Sequence, residues 1–343
     1  MNSRSKNTLK FVASIAVMVF FLYFAFRGTD FGKLIDIMSH ANYWWVLASL
    51  PVLVISHMLR AWRWEYMLRP LKKDLKFRNL FSALIVGYMM NNLLPKVGEL
   101  VRPYAIGKLE GVSRSAAFGT VLVERIFDML SLMAVIALIP IVYSGPLTQR
   151  LPWLEETGIW ITVVTLALFA FFSFLMLRRD VVVRVLRFFT AKLSPRRAQV
   201  VERITHSFLD GFLFLKEPRH YLIIALLSVL IWGLYIVMMY LPFYAFEMPR
   251  EWGAALVVQG ISSIGIVVPT PASAGPYHYF TIQTLTKLYG VDNEVAISYA
   301  TVTNAIGAIG ITLIGFFYFI KDRLHLSDVM KQETASAPEP DAA

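Results

Sequence analysis

Apolar residues in this chain are gathered into blocks of about 20, the length that crosses the ~30 Å hydrocarbon slab as a helix. The blocks lie near 10–27, 43–61, 79–94, 116–142, 158–177, 221–241, 252–268 and 293–320, with polar connections between them. The pattern predicts an all-α polytopic membrane protein built from eight hydrophobic segments. The first block follows Arg4, Lys6 and Lys10 and is longer than a signal-peptide core. Arg27-Gly28-Thr29-Asp30 comes after it in place of a small-residue cleavage site. It therefore reads as the first span.

Basic residues decide how the blocks are threaded. The connection 62–78 carries six Lys/Arg and the segment 178–219 carries ten, so both belong on the cytoplasmic side. Three blocks lie between them, an odd number, so one of the three does not cross. Block 79–94 is short and ends in Asn91-Asn92-Leu93-Leu94-Pro95 before the charged stretch 96–114. It is expected to enter, break at Pro95 and return. Downstream, 293–320 ends in Lys321-Asp322-Arg323, an inside signature. Block 252–268, broken by Pro269, Pro271, Gly275 and Pro276, must then also turn back. This threading places 26 of the 33 Lys/Arg inside and five outside, with Arg60 and Arg125 within helices.

The expected fold is six full spans plus two re-entrant broken hairpins, arranged as an inverted repeat. Its halves run about 8–142 and 158–320 within a single transmembrane domain, 1–326. Both termini are cytoplasmic, at the cell (inner) membrane. Interrupted hydrophobic segments at matching places in two halves point to a transport site near the midplane. Within 178–219 two amphipathic stretches, one around 181–189 and one around 200–212, suit membrane anchoring. The polar tail 327–343 reads as disordered.

Composition narrows the function. Charged residues are 16% and hydrophobic residues 57% of 343, against roughly 25% charged in a soluble domain. The longest polar stretch, about 40 residues, is too short for an ordinary enzyme core. The net charge of +10 sits in loops, which suits an anionic lipid surface rather than nucleic acid. With no cysteine there is no disulfide and no thiolate chemistry. The six histidines form no HExxH motif or close pair. No metal and no cofactor are called for, and no P-loop, DxD-like pair or nucleophile motif is present, so the chain reads as a transporter more than an enzyme.

Three constellations carry chemistry. At the first break, Asn91 and Asn92 are placed to satisfy freed backbone. Lys96 and Arg102 add positive charge there, and Glu99 and Arg102 share a face. The helix that follows would aim unpaired N–H groups at an anion; the alternative is a solvated loop with a Glu99–Arg102 ion pair. In the fourth block, Glu124, Arg125 and Asp128 lie within an apolar span. Each such charge costs roughly 2.5–3.5 kcal/mol near the bilayer centre, so the three face protein or a wet cavity, either as a structural ion pair or toward substrate. In the outer hairpin, Ser273, Gly275 and His278 stand at a second break. His278 is read either as a hydrogen-bonded residue or as a cation or proton carrier. Arg60 and Arg63, beside Trp62 and Trp64, read as interface anchors. Ala300, Asn304, Gly307 and Ala308 form a small face for close helix packing.

Taken in order, Leu59-Arg60-Ala61-Trp62-Arg63-Trp64, Asn92-Leu93-Leu94-Pro95-Lys96-Val97-Gly98-Glu99-Leu100-Val101-Arg102, Glu124-Arg125-Ile126-Phe127-Asp128 and Pro269-Thr270-Pro271 resemble one family. It is the flippase-like transmembrane family related to the membrane region of lysylphosphatidylglycerol synthase, and the resemblance spans about 8–325. It implies movement of polar lipids between leaflets. In the synthase a separate soluble domain makes the aminoacyl lipid, and no such domain is read here. The family's second hairpin carries Pro-Ser/Thr-Pro-Gly-Gly-x-Gly-x-x-Glu. Here Ala272 and Ser273 replace two glycines, Gly275 is kept and His278 stands in the place of the Glu. The expected substrate is a polar or anionic lipid, a phospholipid or a polyprenyl-phosphate-linked sugar, held by the residues at the two breaks and in the fourth block. The expected partners are membrane lipids bearing phosphate and a possible separate synthase or transferase. The alternative role is a membrane subunit or enzyme of polar-lipid or glycolipid synthesis without a catalytic soluble domain of its own.

Overall fold

Each apolar block becomes a helix, and short polar side chains set where several of them begin. The computed structural model describes residues 3–177, 195–217 and 219–325. Among these residues the regular structure is helical, without strands. The helices are α1 (Ser3–Phe26), α2 (Phe31–His40), α3 (Tyr43–Leu68), α4 (Phe77–Leu93), α5 (Gly98–Glu110), α6 (Arg114–Val142), α7 (Trp153–Leu177), α8 (Pro195–Asp210), α9 (Arg219–Ala245), α10 (Trp252–Val267), α11 (Pro276–Tyr289) and α12 (Asn293–Lys321), with single helical turns elsewhere. Asp30 accepts from the N–H groups of Gly32 and Lys33 at the start of α2. Asn42, Ser113 and Asp292 cap α3, α6 and α12 in the same manner.

Four described helices, α3, α6, α9 and α12, are long and apolar enough to cross a membrane, and α1 with α2 forms a fifth candidate bent by 90°. The protein is thus a multi-pass helical membrane protein. Helix α2 is unanticipated by hydrophobic blocks because it is only 10 residues long and amphipathic. It packs on α12, and Lys33 reaches Asp292 at 2.8 Å and Glu294 at 3.4 Å.

The two interrupted blocks form helical hairpins, α4–α5 and α10–α11. In the first, Gly87 lies against Gly98 and Arg102. A Cβ on Gly98 would stand 1.9 Å from the Gly87 carbonyl oxygen, so only glycine permits this approach. In the second, Ser262 and Thr281 meet at 2.7 Å. Gly275, with φ +89, passes so close to α1 that a Cβ would be 2.6 Å from the Met18 carbonyl. Helix α4 lies on α12, α10 lies on α6, and α3 lies along α9.

Helix α12 also gauges the depth of both hairpins. Its end is tied to α4 where Asp322 receives hydrogen bonds from Arg78 and Ser82. Farther along, Gly315 touches Ile85 and Met89, and Asn92 donates to Ala308 O at 3.1 Å and to Thr312 Oγ1 at 3.2 Å. At 1.5 Å per residue the first break is about 18 Å from that end of a helix about 43 Å long. From the other end, Asn304 donates to Ala272 O at 3.0 Å, placing the second break about 17 Å in. Of the small face on α12, Asn304 and Ala308 receive the tips of the two hairpins, while Gly307 meets open space.

Of the two amphipathic stretches, the one around 181–189 lies outside the described residues, as does the tail 327–343. The other forms α8, which packs on α6, and Leu209 and Phe212 are buried. This segment covers protein rather than only anchoring to lipid, because Gly119 and Gly211 let the backbones meet.

Candidate functional site

The site grows from two helices whose charges are spaced to match. Arg60 and Arg63 lie three apart on α3, Glu124 and Asp128 four apart on α6, so each pair projects from one face. Asp128 bonds to Arg60 and, at 2.6 Å, to Arg63. Glu124 lies 3.4 Å from Arg63 and 2.6 Å from Arg102 on α5. Arg125 reaches Glu99 at 3.6 Å, Glu124 at 3.7 Å and Asp128 at 3.6 Å. Four guanidinium groups thus face three carboxylates, leaving one positive charge in excess.

Neighbouring side chains hold the cluster in place. Ser228 on α9 accepts from Arg63 at 2.8 Å, and Trp64 donates to Thr120 at 2.9 Å. The guanidinium of Arg102 stacks on Trp64, 3.7 Å from the ring centre. Tyr88 on α4 accepts from Arg125 at 3.2 Å and lies under Arg60. Arg63 and Glu124 are fully buried. Even so, the nitrogens of Arg102, the Nε atoms of Arg60, Arg63 and Arg125, and one oxygen each of Glu99 and Glu124 make no hydrogen bond. Arg102 and Glu124 are close but poorly aligned. Buried donors of this kind are rare in native proteins and call for a partner. Beside them is a cleft of about 10 Å³, the space of a single water, lined by Tyr88, Asn91, Gly98, Glu99, Arg102 and Arg125.

The structure revises several expectations. Arg60 and Arg63 are not interface anchors: both are buried and paired with α6. Glu99 and Arg102 do not pair with each other, because α6 offers each an opposite charge. The start of α5 is not an open row of N–H groups. Gly98 N–H is taken by Asn91 at 2.8 Å, and those of Glu99 and Leu100 by the carbonyls of Lys96 and Val97. Asn91 thus satisfies the break, while Asn92 bonds to α12. Lys96 is exposed at the turn and outside the ionic cluster.

Ser273, Gly275 and His278 form a separate group. His278 Nδ1 accepts from its own helix's Gly275 N–H at 3.4 Å, a capping role. Ser273, with φ +56, sits in the turn that packs on α4 and α12. The polar contacts around this hairpin are neutral: Tyr277 with Thr303 at 2.9 Å, Ser262 with Thr281, and Tyr299 donating to Met239 O at 2.6 Å.

Sequence similarity points to a family of membrane proteins. A family model described as the lysylphosphatidylglycerol synthase TM region matches residues 11–315. A UPF0104 membrane protein of Methanothermobacter thermautotrophicus is 29% identical over 228 residues, 63% of this chain and 67% of that protein. Another, from Pyrococcus horikoshii, is 24% identical over 334 residues, 93% of this chain and 98% of its own length. Glycosyltransferase AglD of Haloferax volcanii is 27% identical over 139 residues, 40% of this chain but only 22% of that protein.

Proposed function

The chain belongs to the lysylphosphatidylglycerol synthase transmembrane-region family, and on that premise we propose that it moves a polar or anionic lipid between leaflets. The substrate class is a phospholipid or a polyprenyl-phosphate-linked sugar. One observation carries the reading: a buried cluster of four arginines and three carboxylates in which Arg102 Nε and Nη1 carry no hydrogen bond. Buried charge of this kind is costly in a membrane and marks substrate pathways. The excess positive charge suits a phosphate, which the planar guanidinium fork binds in two-point fashion.

In this reading α1, α3, α6, α7, α9 and α12 cross the bilayer. The two hairpins enter from opposite sides and turn back near its middle, as an inverted repeat with both termini cytoplasmic in the inner membrane. The breaks at mid-length of α12 and the inward bias of Lys/Arg support this arrangement. The lipid tails stay in the bilayer while the headgroup enters the cleft.

The test is a leaflet-accessibility assay with purified protein in liposomes, using fluorescent phosphatidylglycerol and a fluorescent polyprenyl phosphate. Protein-dependent movement that falls in Arg102→Ala is expected; wild-type rates in that variant count against the reading. The similarity to AglD favours one alternative, a membrane subunit of glycolipid synthesis working with a separate transferase. Product formed from labelled donor only when such a transferase is added, with no lipid movement, would select it.

A further inference from the structure

Lys96 occupies the break between α4 and α5, exposed, with φ +67. A left-handed lysine is strained, and strain of this kind collects where function demands a fixed geometry. Its neighbours Leu93, Leu94 and Leu100 are exposed and apolar. Its depth is set by Asn92, which holds this turn to the middle of α12. Among the described residues no carboxylate pairs with its ammonium. An unpaired cation at that depth, set among leucines, is costly to insert unless it meets an anion.

The cations beyond Lys96, Arg125 and then Arg102, lie at increasing depth. Gly98 and Glu99, two and three residues on, line the cleft that continues to Arg125 and Arg102. Exposure falls along this line: Arg125 has 31% of its side chain accessible and Arg102 has 4%. The Glu99–Arg125 contact between them is loose at 3.6 Å, with Arg125 Nε and Glu99 Oε2 making no hydrogen bond.

We propose that Lys96 is the first contact for a phosphate-bearing lipid headgroup, which passes from it through the cleft to Arg125 and Arg102. This rests on the translocation reading and adds an order to it. A compact ammonium on a flexible stem suits transient capture, whereas the rigid guanidinium fork suits the inner position. Since the cleft admits only a water, passage requires the Glu99–Arg125 pair to part and the phosphate to replace Glu99 as the partner of Arg125.

The chain has no cysteine, so Lys96→Cys introduces a unique thiol into the full-length protein. Phosphatidylglycerol movement in vesicles of phosphatidylcholine and phosphatidylglycerol should fall roughly tenfold in this variant. It should recover when an aminoethyl methanethiosulfonate restores the positive charge, and stay low after the sulfonatoethyl reagent. Lys96→Arg should keep most of the rate. Movement at the wild-type rate in Lys96→Cys overturns the proposal, as does a thiol that neither reagent reaches.

A second arm does not depend on transport. Native mass spectrometry should show phosphatidylglycerol retained by the wild type and lost from Lys96→Gln, with phosphatidylcholine unaffected. Should the wild type move no lipid yet retain phosphatidylglycerol through Lys96, the translocation reading fails and the anion contact stands. Equal retention by both proteins overturns the contact. Retention of inorganic phosphate through Lys96 with no retention of phosphatidylglycerol assigns the contact to a soluble anion and overturns its lipid role.

Discussion

The two hairpins share a backbone design and differ in chemistry. Both fold back through close approaches of their arms, and both place their break at the middle of α12. Yet α5 sends Glu99 and Arg102 to opposite charges on α6, whereas α11 offers Tyr277 and Thr281 to hydroxyl partners. A low-dielectric interior penalises any unpaired polar group, and an unpaired charge more than a lost neutral hydrogen bond. The first hairpin therefore carries the electrostatic demand of the molecule, and the second is built as its neutral counterpart.

Removing one charge should separate the hairpins most sharply. Glu124→Ala leaves Arg63 and Arg102 facing each other without their shared carboxylate and should cost about 3–5 kcal/mol, read as a fall in unfolding temperature in detergent. A cost below that of a neutral pair would refute the ionic assignment. Gly98→Ala should come next, near 3 kcal/mol, the upper end of overpacking costs. Its Cβ meets backbone at 1.9 Å, against 2.8 Å for the matching clash in Gly265→Ala. If both alanines cost the same, the two turns are equally tight and the contrast fails. Ser262→Ala in the neutral hairpin should cost only about 1 kcal/mol, measured in the same assay.

The smallest effect concerns pH. Burial pushes the Glu110 carboxyl up, but hydrogen bonds from Lys72, Asn79 and the Lys76 N–H together hold it below its ordinary value of 4.5. A depressed carboxylate stabilises the fold above that value, and its contribution fades as pH falls through the folded-state pKa. Glu110→Gln should therefore lower the unfolding temperature by about one degree at neutral pH. The difference should shrink below about pH 4.5. A gap that stays constant with pH would mean that the carboxylate charge contributes nothing.

Much of the helical layout was legible because helix length and hydrophobic block length are the same quantity in a membrane. The breaks at Pro95 and Pro269–Pro276 were legible too, because there proline falls beside glycine and polar residues, whereas Pro51, Pro103, Pro140 and Pro242 sit inside unbroken helices. The cluster was half visible. Glu124, Arg125 and Asp128 stood out against apolar neighbours, but Arg60 and Arg63 fall near a span end, where arginine is ordinary. Their spacing of three, complementary to the spacing of four on α6, was the signal that linked them. Which helix would face α6 depends on tertiary packing, and α2 escaped notice because ten amphipathic residues make no hydrophobic block.

Helix α12 is fastened differently along its length. Its ends are tied by charges partly open to water, Lys33 to Asp292 at one end and Arg78 to Asp322 at the other. Its middle is held by the amide groups of Asn92 and Asn304. Salt screens exposed charges over about 8 Å at physiological ionic strength and leaves neutral amide bonds nearly untouched. Raising ionic strength therefore loosens the ties at the two ends of this helix and leaves the hold at its centre, between the hairpin tips, unchanged.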